Sequence, residues 1–263
     1  MVKVAIVTGS ATGLGAACAV ELAERGWNVV VNYSKSKTEA QQTFEQVKSR
    51  GVDAILVQAD ISQDADCRRL AAAAIDRWGR IDGLINNAAT TKFQKERDLD
   101  DVTAEDFERI VRVNVAGPYM MTRAVAPIMT KQWEQEHTRG SIVNISSIAG
   151  ATGNGSSIPY VVSKGGINTM TLTLARWLAP AIRVNTVCPG VIQGRWLRQG
   201  MGEAEYEKFK ERMEQITPLR MAGTAEQSAE AAVFLLTSAS GITGEILFVD
   251  AGSHLGSLPL KGR

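Results

Sequence analysis

Short apolar runs alternate with longer amphipathic stretches along the whole chain. The apolar runs predict seven strands, at residues 2–7, 28–33, 54–58, 82–86, 141–146, 182–187 and 245–249. Their nearly continuous apolar character is typical of strands buried on both faces of a parallel sheet. The stretches between them predict helices at 13–25, 37–50, 64–78, 103–131 and 157–178, several of which end at a glycine. This order predicts an α/β fold with helices on both faces of the sheet.

One region departs from this alternation. Residues 190–223 contain no predicted strand but include a helix with Tyr206, Phe209, Met213 and Ile216 on one face. One interpretation is a surface helix that docks on the core. The second is a lid insertion above a cleft, because ligands of open α/β sheets bind beyond the carboxyl ends of the strands.

Length, charge and cysteine content narrow the class of protein. The chain of 263 residues is expected to form a single domain, 1–263. Its 29 basic and 28 acidic residues give a net charge of +1, so we expect no nucleic-acid or membrane partner. Three widely spaced cysteines predict neither a disulfide framework nor a metal site. The absence of a leader and of a spanning apolar run predicts a cytoplasmic protein.

A glycine-rich turn lies directly after the first predicted strand and opens the first helix. The spacing is G-x-x-x-G-x-G, and the placement lets backbone N–H groups meet a pyrophosphate at a helix N-terminus. The expected cofactor contacts in this turn are Gly9, Ser10, Thr12, Gly13, Leu14 and Gly15.

The end of the second predicted strand indicates which dinucleotide binds. It reads Asn32-Tyr33-Ser34-Lys35, whereas an NAD site has an acidic residue there for the ribose 2′-hydroxyl. Donors and positive charge suit the 2′-phosphate of NADP. Lys35 and Lys37 could equally be a solvated helix start, but the missing acid favours NADP(H).

Tyr160 and Lys164 are four residues apart in a predicted helix and so share one face. A nearby ammonium is expected to lower the pKa of the phenol. A hydroxyl from Ser147 could steady the same reacting oxygen. The pair predicts an acid/base centre, although such a pair also occurs by chance on solvated helix faces.

These motifs, taken in order, resemble the short-chain dehydrogenase/reductase family across essentially the whole chain. Beyond the glycine turn and Tyr160-x-x-x-Lys164, the matching positions are Asp60-Ile61, Asn86-Asn87-Ala88-Ala89, Asn114, Ser147, Pro189-Gly190 and residues 242–250. The chain is most similar to the 3-oxoacyl-carrier-protein reductase type. The resemblance implies a single Rossmann-like domain with strand order 3-2-1-4-5-6-7, and a homotetramer, or at least a dimer, paired through helices 103–131 and 157–178.

The resemblance also implies roles for single residues. Tyr160 would be the acid in reduction, Lys164 would lower its pKa and hold the nicotinamide ribose, and Ser147 would bind the substrate oxygen. Asn114 would hold a water that connects Lys164 to solvent. The remaining cofactor contacts implied by the resemblance are Asp60, Ile61, Asn87, Ala88, Pro189, Gly190 and Ile192.

Three positions depart from the family pattern. Ala89 and Ala251 replace glycines, and Gly194 replaces a threonine that contacts the nicotinamide amide, a contact for which Gln193 could stand in.

The predicted activity is NADPH-dependent reduction of a ketone, a 3-oxoacyl or related carbonyl substrate, to a secondary alcohol. One alternative is an NAD-dependent sugar, polyol or secondary-alcohol dehydrogenase. A second is a non-catalytic cofactor-binding sensor, which the complete set of Asn114, Ser147, Tyr160 and Lys164 argues against.

Overall fold

The computed structural model describes residues 1–256, and these form one seven-stranded sheet. Its order is β3-β2-β1-β4-β5-β6-β7 and every neighbouring pair is parallel, which confirms the predicted fold class. The strands are β1 Val4–Val7, β2 Asn28–Tyr33, β3 Ala54–Gln58, β4 Gly83–Asn86, β5 Gly140–Ile145, β6 Ile182–Pro189 and β7 Ile246–Val249.

Helices cover both faces of this sheet. They are α1 Gly13–Glu24, α2 Lys37–Lys48, α3 Asp64–Trp78, α4 Ala104–Val111, α5 Gly117–Glu136, α6 Ala149–Thr152, α7 Ile158–Leu178, α8 Arg195–Met201, α9 Glu203–Ile216 and α10 Ala225–Thr237. A π-helical turn, Arg112–Ala116, joins α4 to α5, and a 3₁₀ turn, Ser253–Leu255, follows β7. None of these helices within residues 1–256 is both long and apolar enough to cross a membrane.

The core lies in two layers, one on each face of the sheet. Alternate residues of β1 divide between them: Ala5 and Val7 join the layer under α1 and α10, whereas Val4 and Ile6 join the layer under α3, α5 and α7. Because successive strand residues point to opposite faces and both faces are covered, the strands need apolar residues at every position.

Several helical regions differ from the sequence-based prediction, and the short helices α6 and α8 were not predicted. Helix α10 was not predicted, although a capping box formed by Thr224 and Gln227 marks its start. The helix predicted over 103–131 begins as expected after Thr103, whose side chain accepts from the Asp106 N–H. It then passes through the π-helical turn and continues to Glu136.

The carboxyl ends of the strands converge on one edge of the sheet, where the candidate site lies. After β6 the chain leaves the sheet and forms α8 and α9. It returns where Ile192 forms an isolated bridge with Gly223. We call residues 190–223 the lid segment.

Candidate active site

The glycine turn between β1 and α1 is packed tightly against the end of β4. Gly9 has a φ of 62°, and a Cβ there would lie 2.8 Å from the Cα of Ala88. A Cβ on Gly15 would lie 2.4 Å from the Nδ2 of Asn87 and 2.5 Å from the carbonyl oxygen of Gly9. Both positions therefore require glycine, because the neighbours leave no room for a side chain.

The N-terminus of α1 is open to an anion. Thr12 is the N-cap residue, yet its side chain makes no capping hydrogen bond, and no acidic residue lies in the first turn. The positive end of the helix dipole is consequently not neutralised by the protein itself. The tight turn and the uncapped helix together fit the pyrophosphate of a dinucleotide.

Asn32 anchors the glycine turn to the neighbouring strands. Its Oδ1 accepts from the Gly9 N–H at 3.0 Å, and its Nδ2 donates to the Ala59 carbonyl at 3.1 Å. Its backbone N–H donates to the Ser10 Oγ at 2.9 Å. Asn32 is buried, and its side-chain donors are engaged within the protein. The structure therefore gives it a positioning role, and Ser10 shares that role.

Thr8, which was not among the predicted site residues, ties the turn to the end of β4. Its Oγ accepts from the N–H groups of Asn87 and Ala88 at 3.0 and 3.1 Å. The Asn87 Nδ2 in turn donates to the carbonyls of Thr8 and Gly9, both at 3.0 Å. The sequence feature that could have indicated this role is a threonine, Thr8, placed directly after the first strand.

The expected adenosine end of the site lies at the end of β2. Ser34 and Lys35 are exposed there, next to buried Tyr33. Asp60 is also exposed, and its Oδ1 accepts from the Ser62 N–H at 2.9 Å. Ile61 is buried and faces Gly117, where a Cβ would lie 2.7 Å from the Ile61 Cδ1.

Tyr160 and Lys164 lie on the first turns of α7 and both point into the protein. The Ser157 side chain caps this helix by accepting from the Tyr160 N–H at 3.4 Å. The Lys164 Nζ lies 5.6 Å from the centroid of the Tyr160 ring and donates to the Ile145 carbonyl, at the end of β5, at 2.8 Å. Ser147 follows β5 and lies beside the phenol.

Burial sets the protonation of both side chains. It raises the pKa of Tyr160 to about 12, while a hydrogen bond with the Ser147 hydroxyl acts in the opposite direction. It lowers the pKa of Lys164 to about 8. The expected lowering of the phenol pKa by the ammonium is therefore not found in this structure: burial raises the pKa, and the group that acts to lower it is the Ser147 hydroxyl.

Asn114 lies in the π-helical turn and links two parts of the site. Its Oδ1 accepts from the Thr90 N–H at 2.8 Å, and its Nδ2 donates to the Thr90 carbonyl at 2.9 Å. The second Nδ2 donor reaches the Ser163 Oγ at 3.0 Å, next to Lys164. Because both donors are used, a water that bridges towards Lys164 could only donate to an oxygen of Asn114.

The start of the lid segment is held to the strand edge. A Cβ on Gly190 would lie 2.7 Å from the Asp250 Cβ, so this turn also requires glycine. The Pro189 carbonyl accepts from the Ile148 N–H at 3.0 Å. The Gln193 amide donates to the Ala222 carbonyl at 2.9 Å, so it closes the base of the lid segment and does not reach towards the site.

The glycine turn, the uncapped helix and the Ser147–Tyr160–Lys164 cluster define a dinucleotide-binding oxidoreductase. A family model described as enoyl-(acyl carrier protein) reductase matches residues 9–254. A protein of Streptomyces violaceoruber, provisionally named ketoacyl reductase 2 of the granaticin polyketide synthase, is 41% identical over 252 residues, which are 96% of each chain. The chain belongs to the short-chain dehydrogenase/reductase family.

Other relatives agree with this assignment. A 3-oxoacyl-[acyl-carrier-protein] reductase of Staphylococcus epidermidis is 33% identical over 257 residues, 97% of this chain and 100% of the relative. Glucose 1-dehydrogenase 2 of Bacillus subtilis is 33% identical over 255 residues, 96% and 95% of the two chains. A crystal structure of a short-chain dehydrogenase/reductase from Burkholderia xenovorans superposes with a TM-score of 0.89 at 38% identity, covering 97% and 99%.

Proposed function

We propose that this oxidoreductase reduces a ketone, of the 3-oxoacyl or a related type, to a secondary alcohol with NADPH. The observation that carries the proposal is the buried phenol of Tyr160 beside the Ser147 hydroxyl, at the strand edge that holds the glycine turn. Two of the relatives are named as ketoacyl reductases, which supports the same substrate class.

The raised pKa of Tyr160 suits an acid. With a pKa of about 12, the phenol keeps its proton at neutral pH and can give it to the alkoxide that forms when a ketone accepts hydride. An alkoxide is the stronger base, so this transfer is favourable. The Ser147 hydroxyl donates a hydrogen bond to the same oxygen as its charge develops.

The nicotinamide, when bound, supplies the hydride, and the protein supplies placement and protons. We assign Lys164 to hold the nicotinamide ribose and to keep positive charge beside the phenol. The Asn114 side chain donates a hydrogen bond to Ser163, next to Lys164. We assign Asn114 to bind, through one of its oxygens, a water that connects Lys164 to solvent.

The preference for NADPH is part of the proposal. Lys35 and Ser34 are exposed at the end of β2, where the ribose 2′-phosphate would lie. Glu39, the first acid after β2, is paired with Arg195 at 2.6 Å, so its charge is compensated. The glucose dehydrogenase relative keeps the NAD-dependent sugar dehydrogenase as the rival function.

A cofactor and substrate comparison tests the proposal. We expect β-keto esters to be reduced at least about tenfold faster with NADPH than with NADH. The Tyr160→Phe variant should bind NADPH with unchanged affinity, measured by fluorescence, and lose turnover. Faster oxidation of glucose with NAD than any ketone reduction would favour the rival. NADPH binding without turnover of ketone or alcohol substrates would favour a sensor.

We also propose that the chain is a homotetramer and that the lid segment, about 190–223, covers the substrate. Apolar side chains remain exposed on α7, including Val162, Leu172 and Trp177, which supports pairing of subunits through this helix.

A further inference from the structure

Two aromatic side chains from different parts of the chain meet beside Tyr160. The Trp196 ring, in α8 of the lid segment, lies 5.7 Å from the Tyr160 ring, centroid to centroid, at an interplanar angle of 60°. The Phe93 ring, in the loop after β4, lies 6.4 Å from Trp196 in an edge-to-face arrangement. We call Phe93 and Trp196 the aromatic wall.

Contacts with α8 and with α4 hold the Phe93 side of the aromatic wall in place. A Cβ on Gly200, also in α8, would lie 1.9 Å from the Cε2 of Phe93, so the phenylalanine ring fills the space that a side chain at Gly200 would need. Lys92 holds the same loop through an ion pair with Asp106 at 2.8 Å. The loop and α8 are therefore fitted to each other at this glycine.

Part of the aromatic wall is exposed to solvent beside the phenol. Trp196 is 48% exposed, whereas the Tyr160 phenol that it borders is only 7% exposed. A group attached to a carbonyl carbon at Tyr160 would therefore run along the open part of the indole. Aromatic faces and edges attract other flat rings more strongly than they attract a flexible chain, because ring pairs gain an interaction beyond the area they bury.

The two arginines of α8, the helix that carries Trp196, both have carboxylate partners within the chain. Arg195 is paired with Glu39, and Arg198 is paired with Glu203 and Glu207 while it lies 4.4 Å from the centroid of the Tyr206 ring. Because both guanidinium groups already have carboxylate partners, neither adds an uncompensated positive charge to the helix that carries Trp196.

We propose that Phe93 and Trp196 are specificity-determining residues that select ketones carrying a planar ring next to the carbonyl, such as aryl or fused cyclic ketones. This inference rests on the proposed function. It adds a substrate class, because neither Tyr160 nor the glycine turn distinguishes a ring from a linear chain.

The test compares two ketones under saturating NADPH: a fused bicyclic aryl ketone and a linear β-keto ester. The readout is the ratio of their kcat/KM values. In Trp196→Leu and in Gly200→Ala, which displaces the Phe93 ring without removing it, we expect this ratio to fall by about tenfold, mainly through KM of the cyclic ketone. Phe234→Leu, which removes an exposed aromatic ring in α10, should leave the ratio unchanged.

The outcomes separate the inference from the proposed function. Turnover of both ketones with a ratio that the two variants do not change overturns the inference and leaves the function standing. An equal acceleration of both ketones by Trp196→Leu also overturns it, since the indole would then merely obstruct the cleft. No turnover of any ketone by the unaltered protein contradicts the proposed function, and the inference falls with it.

Discussion

The protonation of Tyr160 and Lys164 depends more on burial than on their distance from each other. Both side chains are nearly inaccessible to water, so each favours its neutral form: the pKa of the phenol rises to about 12 and that of the amine falls to about 8. The phenol is therefore an acid that retains its proton at neutral pH, and the amine is the group that titrates in the working range.

The pH dependence of ketone reduction should follow Lys164. An amine loses its charge as pH rises through its pKa, so kcat/KM is expected to fall as pH rises through about 8. In Lys164→Arg, the guanidinium keeps its charge, and the alkaline fall in the residual activity should move upward by more than about one pH unit. A profile that stays flat up to about pH 10 in the unaltered protein would rule out this assignment.

Ala251 is strained in the turn that follows β7. Its φ is 56°, in the left-handed region where a residue with a Cβ is destabilised. We expect Ala251→Gly to raise the free energy of unfolding by about 0.5–1 kcal/mol after allowing for the greater entropy of unfolded glycine. Thermal unfolding of the two proteins measures this difference in the free energy of unfolding.

A matched substitution provides the control for Ala251. Ala72 is exposed within α3, and Ala72→Gly should lower stability by about 1 kcal/mol because glycine is a poor helix former. If both variants were destabilised alike, the strain at Ala251 would not be costly.

At the scale of single residues, the sequence predicted which side chains gather but not what each one bonds. The Tyr160–Lys164 spacing placed both on one inward face. The engagement of Asn32 with Gly9, and of Lys164 with the Ile145 carbonyl, depends on strands that meet only in the folded sheet. Desolvation likewise depends on every surrounding element, so the pKa directions could not be inferred from spacing.

Among the elements, α8 of the lid segment is joined to α2 by an ion pair. The Arg195 guanidinium in α8 meets the Glu39 carboxylate in the first turn of α2 at 2.6 Å. The carboxylate partner of Arg195 therefore comes from within the chain.

Removing this ion pair should loosen the lid segment without unfolding the domain. In Glu39→Gln, we expect amide hydrogen exchange across residues 190–223 to become several-fold faster, with little change in the thermal midpoint. Glu24→Gln, which removes the exposed partner of Arg50 elsewhere, is the control and should leave exchange in the lid segment unchanged. If residues 190–223 exchanged their amide hydrogens equally fast in both variants, the Arg195–Glu39 ion pair would not be what holds the lid segment.

The strands were predictable because a sheet covered on both faces requires apolar residues at almost every position. Helix α10 was missed because three of its six buried residues, Ser228, Ala229 and Ala232, are small, which weakens the apolar periodic pattern. The π-helical turn at Asn114 was missed for another reason: local periodicity does not reveal a single widened turn held by contacts with Thr90 and Ser163.

At the scale of the whole molecule, the sheet order was implied by the family resemblance and is confirmed by the strand pairing. The periodicity alone indicated a parallel sheet but not its order, because order depends on which crossovers the chain makes.

If the chain is a homotetramer, substitutions on the exposed apolar face of α7 should dissociate it into smaller species. Light scattering of the unaltered protein should give four chain masses. Val162→Arg combined with Leu172→Arg places charge on the exposed apolar face of α7 and should give a smaller species with its helix content retained. Leu99→Arg, at an exposed leucine outside the long helices, should leave the mass unchanged. An unaltered protein that sediments as a monomer would contradict the proposal.

The most direct measurement follows the hydride itself. NADPH carrying deuterium at the transferable position of the nicotinamide is mixed with the protein and a β-keto ester, and the alcohol is analysed by mass spectrometry and NMR. The account predicts one deuterium on the carbinol carbon with the unaltered protein and none with Tyr160→Phe, although that variant still binds NADPH. An alcohol without deuterium, or equal labelling by Tyr160→Phe, would contradict hydride transfer with Tyr160 as the acid.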